Sequence, residues 1–223
     1  MSVLVYRDSD TLSQAVATLL AGCIIEKPTS ALGLDCSAQL SAAYRKVAGM
    51  TSDGLLDWTS IRAFNLFEHV RADVDVTDES RMRSMLYDRV NIQPENIYSP
   101  TAEARDWSVL CNDYENTILD IGGLDTIVCA VGKDGRIVCN MPGTELAPVT
   151  HVERTEEGRV VTVGISTIMG ARRVIAVLSG YELSQIAPLV IGGAVTPSMP
   201  ASYLQLHSNA IFMLDEDAAE KIE

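Results

Sequence analysis

Three stretches of this chain carry residues whose types and positions suit chemistry on a small molecule. The first is Val131-Gly132-Lys133-Asp134-Gly135-Arg136-Ile137-Val138-Cys139-Asn140-Met141-Pro142, which follows an apolar run, 124–130, of strand length. A loop just past the carboxyl end of a buried strand is where α/β proteins place their ligand sites. Asp134 offers a carboxylate for hydrogen bonding or proton transfer, and Arg136 a permanent cation. The second stretch is Phe67-Glu68, just past a strand ending near Leu66, where Glu68 offers a carboxylate. The third is Asp35-Cys36-Ser37-Ala38-Gln39, a strand-to-helix turn where backbone N–H groups can cradle an anion. Each has a plainer reading. Lys-Asp-Gly suits a tight turn. Arg136 can pair with Asp134 or Glu68, Ser37 can cap its helix without a ligand, Phe67 can fill a pocket, and Asn140 and Pro142 can hold the loop's shape.

The elements that must position these residues follow from periodicity. Strands are predicted at 3–6, 30–34, 61–66, 124–130, 159–163, 173–178 and 210–214. A helix over 10–26 carries Leu12, Ala15, Val16, Leu19, Leu20 and Cys23 on one face and ends at Pro28. Further helices are predicted over 37–48, over 78–90 with Asp78 as its cap, and over 181–190. Ser99-Pro100 predicts the start of a helix bearing Ala104, Trp107, Cys111, Tyr114 and Ile118, stopped by Gly122-Gly123. Residues 70–77 and 91–98 read as connections. Strands alternating with helices, without an internal repeat or a low-complexity linker, imply one α/β domain over 1–223 with a mostly parallel sheet covered on both faces.

The bulk composition excludes whole classes of function. A net charge of −13 repels nucleic-acid backbones and anionic membranes, so neither is an expected partner. The same field gives an anionic ligand no global attraction, so any phosphate site must be local. No apolar run spans a bilayer and the start lacks a secretory pattern, so a cytoplasmic protein is expected. Five cysteines without metal-like spacing read as buried thiols, and three scattered histidines form no helical zinc pair. Neither a metal nor a cofactor is expected. His207 reads as a packing or capping residue, and an oligomer is left open.

The stretch from Val131 to Pro142 resembles the loop of the glucosamine-6-phosphate and galactosamine-6-phosphate deaminase/isomerase family, through Gly132, Asp134, Gly135, Asn140 and Pro142. Asn65 to Val70 resembles that family's Asn-Met-Asp-Glu-Tyr-Val segment, and Val90 to Tyr98 another of its segments. Gly122 to Asp125 and Pro200 to Asn209 are similar to the galactosamine branch. The resemblance implies a three-layer, Rossmann-like α/β fold and a role in amino-sugar-phosphate metabolism, where an aldose becomes a ketose with loss of ammonia. A small sugar or sugar phosphate is the ligand it implies.

Carried over residue by residue, the resemblance describes a degenerate member. Phe67 stands at the family's general base, Arg136 at its ring-opening His, and Met141 at one of the two acids orienting that His, with Asp134 keeping the other. Arginine stays protonated at working pH and is a poor acid/base catalyst. The turn 35–39 has no glycine and brings a like charge at Asp35, so weak phosphate binding is expected there. Leu183 aligns with a family Lys, and Arg154 is a doubtful substitute for a family Arg. Two functions remain: a non-catalytic binding or regulatory protein, or an isomerase/deaminase of altered substrate using Glu68, Asp134 and Arg136. In both, Asp35, Ser37, Phe67, Gly132 and Asn140 are the expected ligand-binding residues, and residues 35, 37, 67, 68, 134 and 136 are expected to line one cleft.

Overall fold

The structure is a computed structural model and describes residues 1–70, 77–100, 106–143, 145–156 and 158–222. In chain order the elements are β1 (Ser2–Tyr6), α1 (Ser9–Glu26), β2 (Ala31–Leu34), α2 (Ser41–Ser52), β3 (Arg62–Asn65) and β4 (Phe67–Val70). There follow α3 (Asp78–Met85), β5 (Ile97–Tyr98), α4 (Trp107–Asp120), β6 (Thr126–Ala130), β7 (His151–Thr155) and β8 (Gly158–Thr162). The chain closes with α5 (Ile165–Met169), β9 (Arg173–Leu178), α6 (Ala187–Gly192), β10 (Ala210–Asp215) and α7 (Glu216–Ala219).

Seven strands pair in parallel in the order β1-β10-β9-β6-β2-β3-β5, with helices on both faces, a three-layer α/β fold. Every residue of β2 and β6 is buried, as the unbroken apolar runs of central parallel strands require. From β2 the chain moves outward to β3 and β5, and from β6 it moves the other way to β9 and β10. The order therefore reverses between β2 and β6, and the crevice at their carboxyl ends is the natural ligand site of such a sheet.

Local sequence explains most element ends. Asp8 and Thr11 form a reciprocal capping box at α1: the Thr11 N–H donates to Asp8 Oδ1 at 2.8 Å and the Asp8 N–H to Thr11 Oγ1 at 3.2 Å. The Thr11 backbone bond, with the side chains of Thr11 and Arg7, lowers the Asp8 carboxyl to about 2. Leu12, Val16 and Leu20 of α1 pack with Tyr44 and Val47 of α2 and with Leu32, Ile127 and Phe212 of the sheet in one continuous core.

Four expectations from the sequence need correction. The helix predicted from Ser99-Pro100 begins instead at Trp107, where Asp106 takes the N–H groups of Ser108 (2.9 Å) and Val109 (3.3 Å), while Ala104 lies outside the described residues. Helix α3 ends at Met85 and gives way to a 3-10 turn, Tyr87–Arg89, rather than running to Val90. The helix expected over 181–190 is a 3-10 turn, Tyr181–Leu183, and then α6. Finally, β4, β8 and β7 form a separate antiparallel sheet that the periodicity did not announce. A single residue, Leu66, separates β3 from β4, and its N–H still bonds Leu34 O before the chain leaves the main sheet.

Candidate functional site

A cleft of about 520 Å³ opens at the carboxyl ends of β2 and β6. Its floor and walls include Ser37 after β2, Phe67 and His69 on β4, and Lys133, Asp134 and Arg136 after β6. Cys36, Arg81, Val138 and Met141 complete much of the rest. Of the residues expected from sequence to share one cleft, Ser37, Phe67, Asp134 and Arg136 do so.

The loop after β6 is held by its own backbone. The Gly132 N–H donates to Arg136 O at 3.0 Å and the Gly135 N–H to Gly132 O at 2.9 Å. Gly135 has φ +83°, so the turn demands glycine, and the flexible Met199 side chain packs against it. Asp134 caps this turn: its Oδ1 accepts the Arg136 N–H at 3.1 Å, and its Oδ2 lies 3.2 Å from Arg136 Nη1. Val138, a β-branched residue, sits at φ 56°, a costly conformation at the cleft wall.

Four expected site residues stand behind the cleft instead of lining it. Asp35 is 1 % exposed. Its Oδ1 accepts the Ser37 N–H and hydroxyl, and its Oδ2 accepts the Ala130 N–H at 2.9 Å, so it ties β2 to β6 at the reversal point. Burial pushes its carboxyl above the usual range, against the pull of those hydrogen bonds and of Arg136. Glu68 is turned away because successive side chains of a strand point to opposite faces. Its oxygens accept the N–H groups of Asp78 (2.8 Å) and Glu79 (2.9 Å), where it serves the start of α3, and burial again raises its carboxyl. Gly132 lies beneath Asp134 and Arg136; a Cβ there would come within 2.6 Å of Arg136 Cγ. Asn140 is 1 % exposed and spends its amide on Ile137 O (3.2 Å) and Val163 O (2.9 Å).

Arg154 sits exposed on β7 and does not line the cleft, and Leu183 is buried. His207 is buried, accepts the Asn209 N–H at Nδ1 (3.0 Å) and bonds Ala171 O through Nε2 (2.8 Å), a structural role. All five cysteines are buried. Burial, then Asp78 and Asp35, push the Cys36 thiol far up, which removes it as a nucleophile. Among the described residues no group of His, Cys, Asp and Glu could hold a metal ion, and no helix is long and apolar enough to cross a membrane.

The sequence reading missed His69, Arg81 and Lys133. His69 and Phe67 share a face of β4, with ring centroids 5.5 Å apart and an edge-on angle of 87°. His69 Nδ1 lies 2.7 Å from Asp78 Oδ2, and Arg81 Nη1 lies 3.2 Å from Asp78 Oδ1. Burial alone would raise the Asp78 carboxyl, but hydrogen bonds from the His69 ring and backbone, with the charges of His69 and Arg81, hold it below the usual range. The one signal in the sequence was the Asp78-to-Arg81 spacing of i, i+3 on a helix start. A second depression, at the opposite end of the sheet, also carries cations, but Lys27 and Arg172 pair with Asp125 (2.7 and 3.4 Å) and Arg173 with Glu26 (3.8 Å).

This architecture has close counterparts. A family model described as glucosamine-6-phosphate isomerases/6-phosphogluconolactonase matches residues 8–213. The glucosamine-6-phosphate deaminase of Clostridioides difficile is 32 % identical over 241 aligned residues, covering 100 % of this chain and 97 % of its own. That of Halothermothrix orenii is 30 % identical over 238, covering 98 % and 99 %. Among solved structures, a monomeric glucosamine-6-phosphate deaminase superposes with a TM-score of 0.94 at 26 % identity, covering 99 % of this chain and 100 % of that one. The 6-phosphogluconolactonase of Thermotoga maritima shares the fold, with a TM-score of 0.81 at 16 % identity over 96 % of this chain and 99 % of its own. With a match spanning nearly the whole chain, this protein belongs to the family of glucosamine-6-phosphate isomerases and 6-phosphogluconolactonases.

Proposed function

We propose that the cleft binds a small phosphorylated sugar and does not deaminate hexosamine-6-phosphates, so that toward the family reaction the chain is a binding or regulatory protein. The observation that carries this reading is the content of the cleft itself: Phe67, Arg136 and Met141 line it together. The resemblance puts the family's base, ring-opening His and one orienting acid at those three positions. A phenyl ring accepts no proton, and a guanidinium remains charged throughout the working pH range. Proton transfer by positioned groups contributes about 10²–10⁴-fold in rate, and losing several such groups at once removes the route. Binding is supported by Arg81, Lys133 and Arg136 on the walls, cations set beside Asp134 and Glu156, with Arg81 also paired to Asp78 and Arg136 to Asp134. The phosphate would be held by these side chains more than by the turn 35–39, where Asp35 already occupies the Ser37 N–H.

Ammonia release measured with glucosamine-6-phosphate and galactosamine-6-phosphate tests the catalytic half, with no enzyme-dependent signal expected. Calorimetric titration with the same sugars tests the binding half, with saturable heat expected that inorganic phosphate partly displaces. Turnover at ordinary rates would refute the reading. The alternative, an enzyme of altered substrate, loses Glu68 to the start of α3, but His69 and Asp78 give it a different footing.

A further inference from the structure

Every residue that the resemblance assigns to proton transfer is replaced or turned away, yet the cleft wall carries an imidazole backed by a buried carboxylate. His69 lies on its wall with Asp78 behind it. Asp78 is 2 % exposed, and its Oδ2 accepts both the His69 ring at Nδ1 and the His69 backbone N–H, each at 2.7 Å. Its Oδ1 takes Arg81 at 3.2 Å. As the first residue of α3, Asp78 is itself fixed by Glu68, whose Oε1 accepts its N–H at 2.8 Å. The Phe67 ring packs edge-on to the imidazole.

A carboxylate on one imidazole nitrogen selects the tautomer with the proton there and leaves the other nitrogen as the basic one. Here that is Nε2, the nitrogen Asp78 does not engage. A surface histidine paired in passing would not be expected to receive a buried aspartate that bonds its ring and its backbone together.

We infer that His69, oriented by Asp78, is a general acid–base residue of this cleft, acting on a phosphorylated aldose that carries a hydroxyl, not an amine, at C2 and whose anionic end is held by Arg81, Lys133 and Arg136. The inference rests on the sugar-phosphate reading above. The step is a proton shift on the open-chain sugar. Nε2 takes the proton from the carbon next to the carbonyl, and the C–H electron pair forms an enediolate. The imidazolium then returns the proton to the former carbonyl carbon, while the neighbouring hydroxyl becomes the new carbonyl and its proton passes to the first oxygen. The product is an isomer of the substrate, so neither an oxidant nor a leaving group is needed, and no ammonia is formed. Asp78 is a positioning residue.

The test follows deuterium uptake from heavy water at C2 of glucose-6-phosphate by NMR, beside calorimetric binding of the same sugar, on the unmodified protein and on His69→Asn and Asp78→Asn. His69→Asn keeps a short amide toward Asp78 and removes Nε2; His69→Gln is the second variant if the first does not fold. The unmodified protein is expected to bind and exchange, and His69→Asn to lose about 100-fold or more in exchange with its affinity retained. Asp78→Asn is expected to lose exchange and the ¹⁵N signature of a single His69 tautomer. Binding without exchange, or exchange that survives both His69 variants, overturns the assignment to His69 alone. Absence of both binding and exchange overturns the binding reading and this one with it.

Discussion

At the residue scale, the lesson lies in what a carboxylate is already committed to. Asp35 and Glu68 both occupy positions where a ligand-binding or catalytic acid was expected, and both are consumed by backbone donors. Asp35 satisfies the N–H groups of Ser37 and Ala130 and receives the Ser37 hydroxyl, while its own backbone O accepts Tyr44 Oη at 2.8 Å. Removing a buried acceptor leaves each orphaned donor with a desolvation cost of about 1–3 kcal/mol. Asp35→Ala is therefore expected to destabilise the protein by about 2–4 kcal/mol, read as a lower urea midpoint at unchanged slope. A stable variant that merely gained phosphate affinity would contradict this structural role.

At the element scale, the start of α3 brings together two acids of opposite titration behaviour. Glu68, reaching over from β4, and Thr77, whose hydroxyl accepts the Ser80 N–H at 3.0 Å, serve its open donors. The buried Asp78 carboxylate turns instead to His69 and Arg81. The Asp78 carboxyl is lowered in the fold, so its contribution is present above the unfolded pKa and is lost as pH falls through the folded one. The Glu68 carboxyl is raised, so the fold favours its protonated form, and its contribution falls as pH rises from the unfolded pKa through the folded one. Relative to the unmodified protein, Asp78→Asn should thus flatten the loss of stability on the acid side. Glu68→Gln should instead recover stability as pH rises past the carboxylate range. Urea unfolding at a series of pH values from about 3 to about 7 checks both, and slopes of the same sign would refute the opposed assignment.

At the scale of the whole molecule, the chain ends are stitched together. Among the described residues β1 pairs only with β10, which also flanks β9, so the last strand completes the sheet begun by the first. Phe212, Met213 and Leu214 of β10 are buried in the common core. Deleting a large buried side chain costs about 2–5 kcal/mol, and a domain's total stability is about 5–15 kcal/mol. A chain ending at Asn209 should therefore lose its cooperative thermal unfolding by circular dichroism; a retained sharp transition would show that the sheet closes without β10. The same parallel arrangement delivers the loops after β2 and β6 to one crevice, although 95 residues separate Asp35 from Ala130.

The sequence by itself determined the alternating architecture, because apolar runs and one-sided stripes are local signals. Strand β9 matches its expected bounds at both ends, and α1 is displaced by one residue at its start. It also determined the family, through the spacing of Gly132, Asp134, Gly135, Asn140 and Pro142, and the turn that Gly135 requires. Tertiary structure alone decided which side chains reach the cleft. Nothing in the run from Ile61 to Val70 marks the point at which the chain leaves one sheet for another, because both sheets accept the same apolar, extended residues. That change of partner sets which way the alternation falls, carrying Phe67 and His69 to the cleft and Glu68 to a helix start. The pairing of His69 with Asp78, nine positions later and on a helix, was equally invisible, since a hydrogen bond between elements depends on how they pack. Local patterns specify which elements form; the choice of cleft-lining and structural side chains depends on strand partners and helix placement, which are non-local.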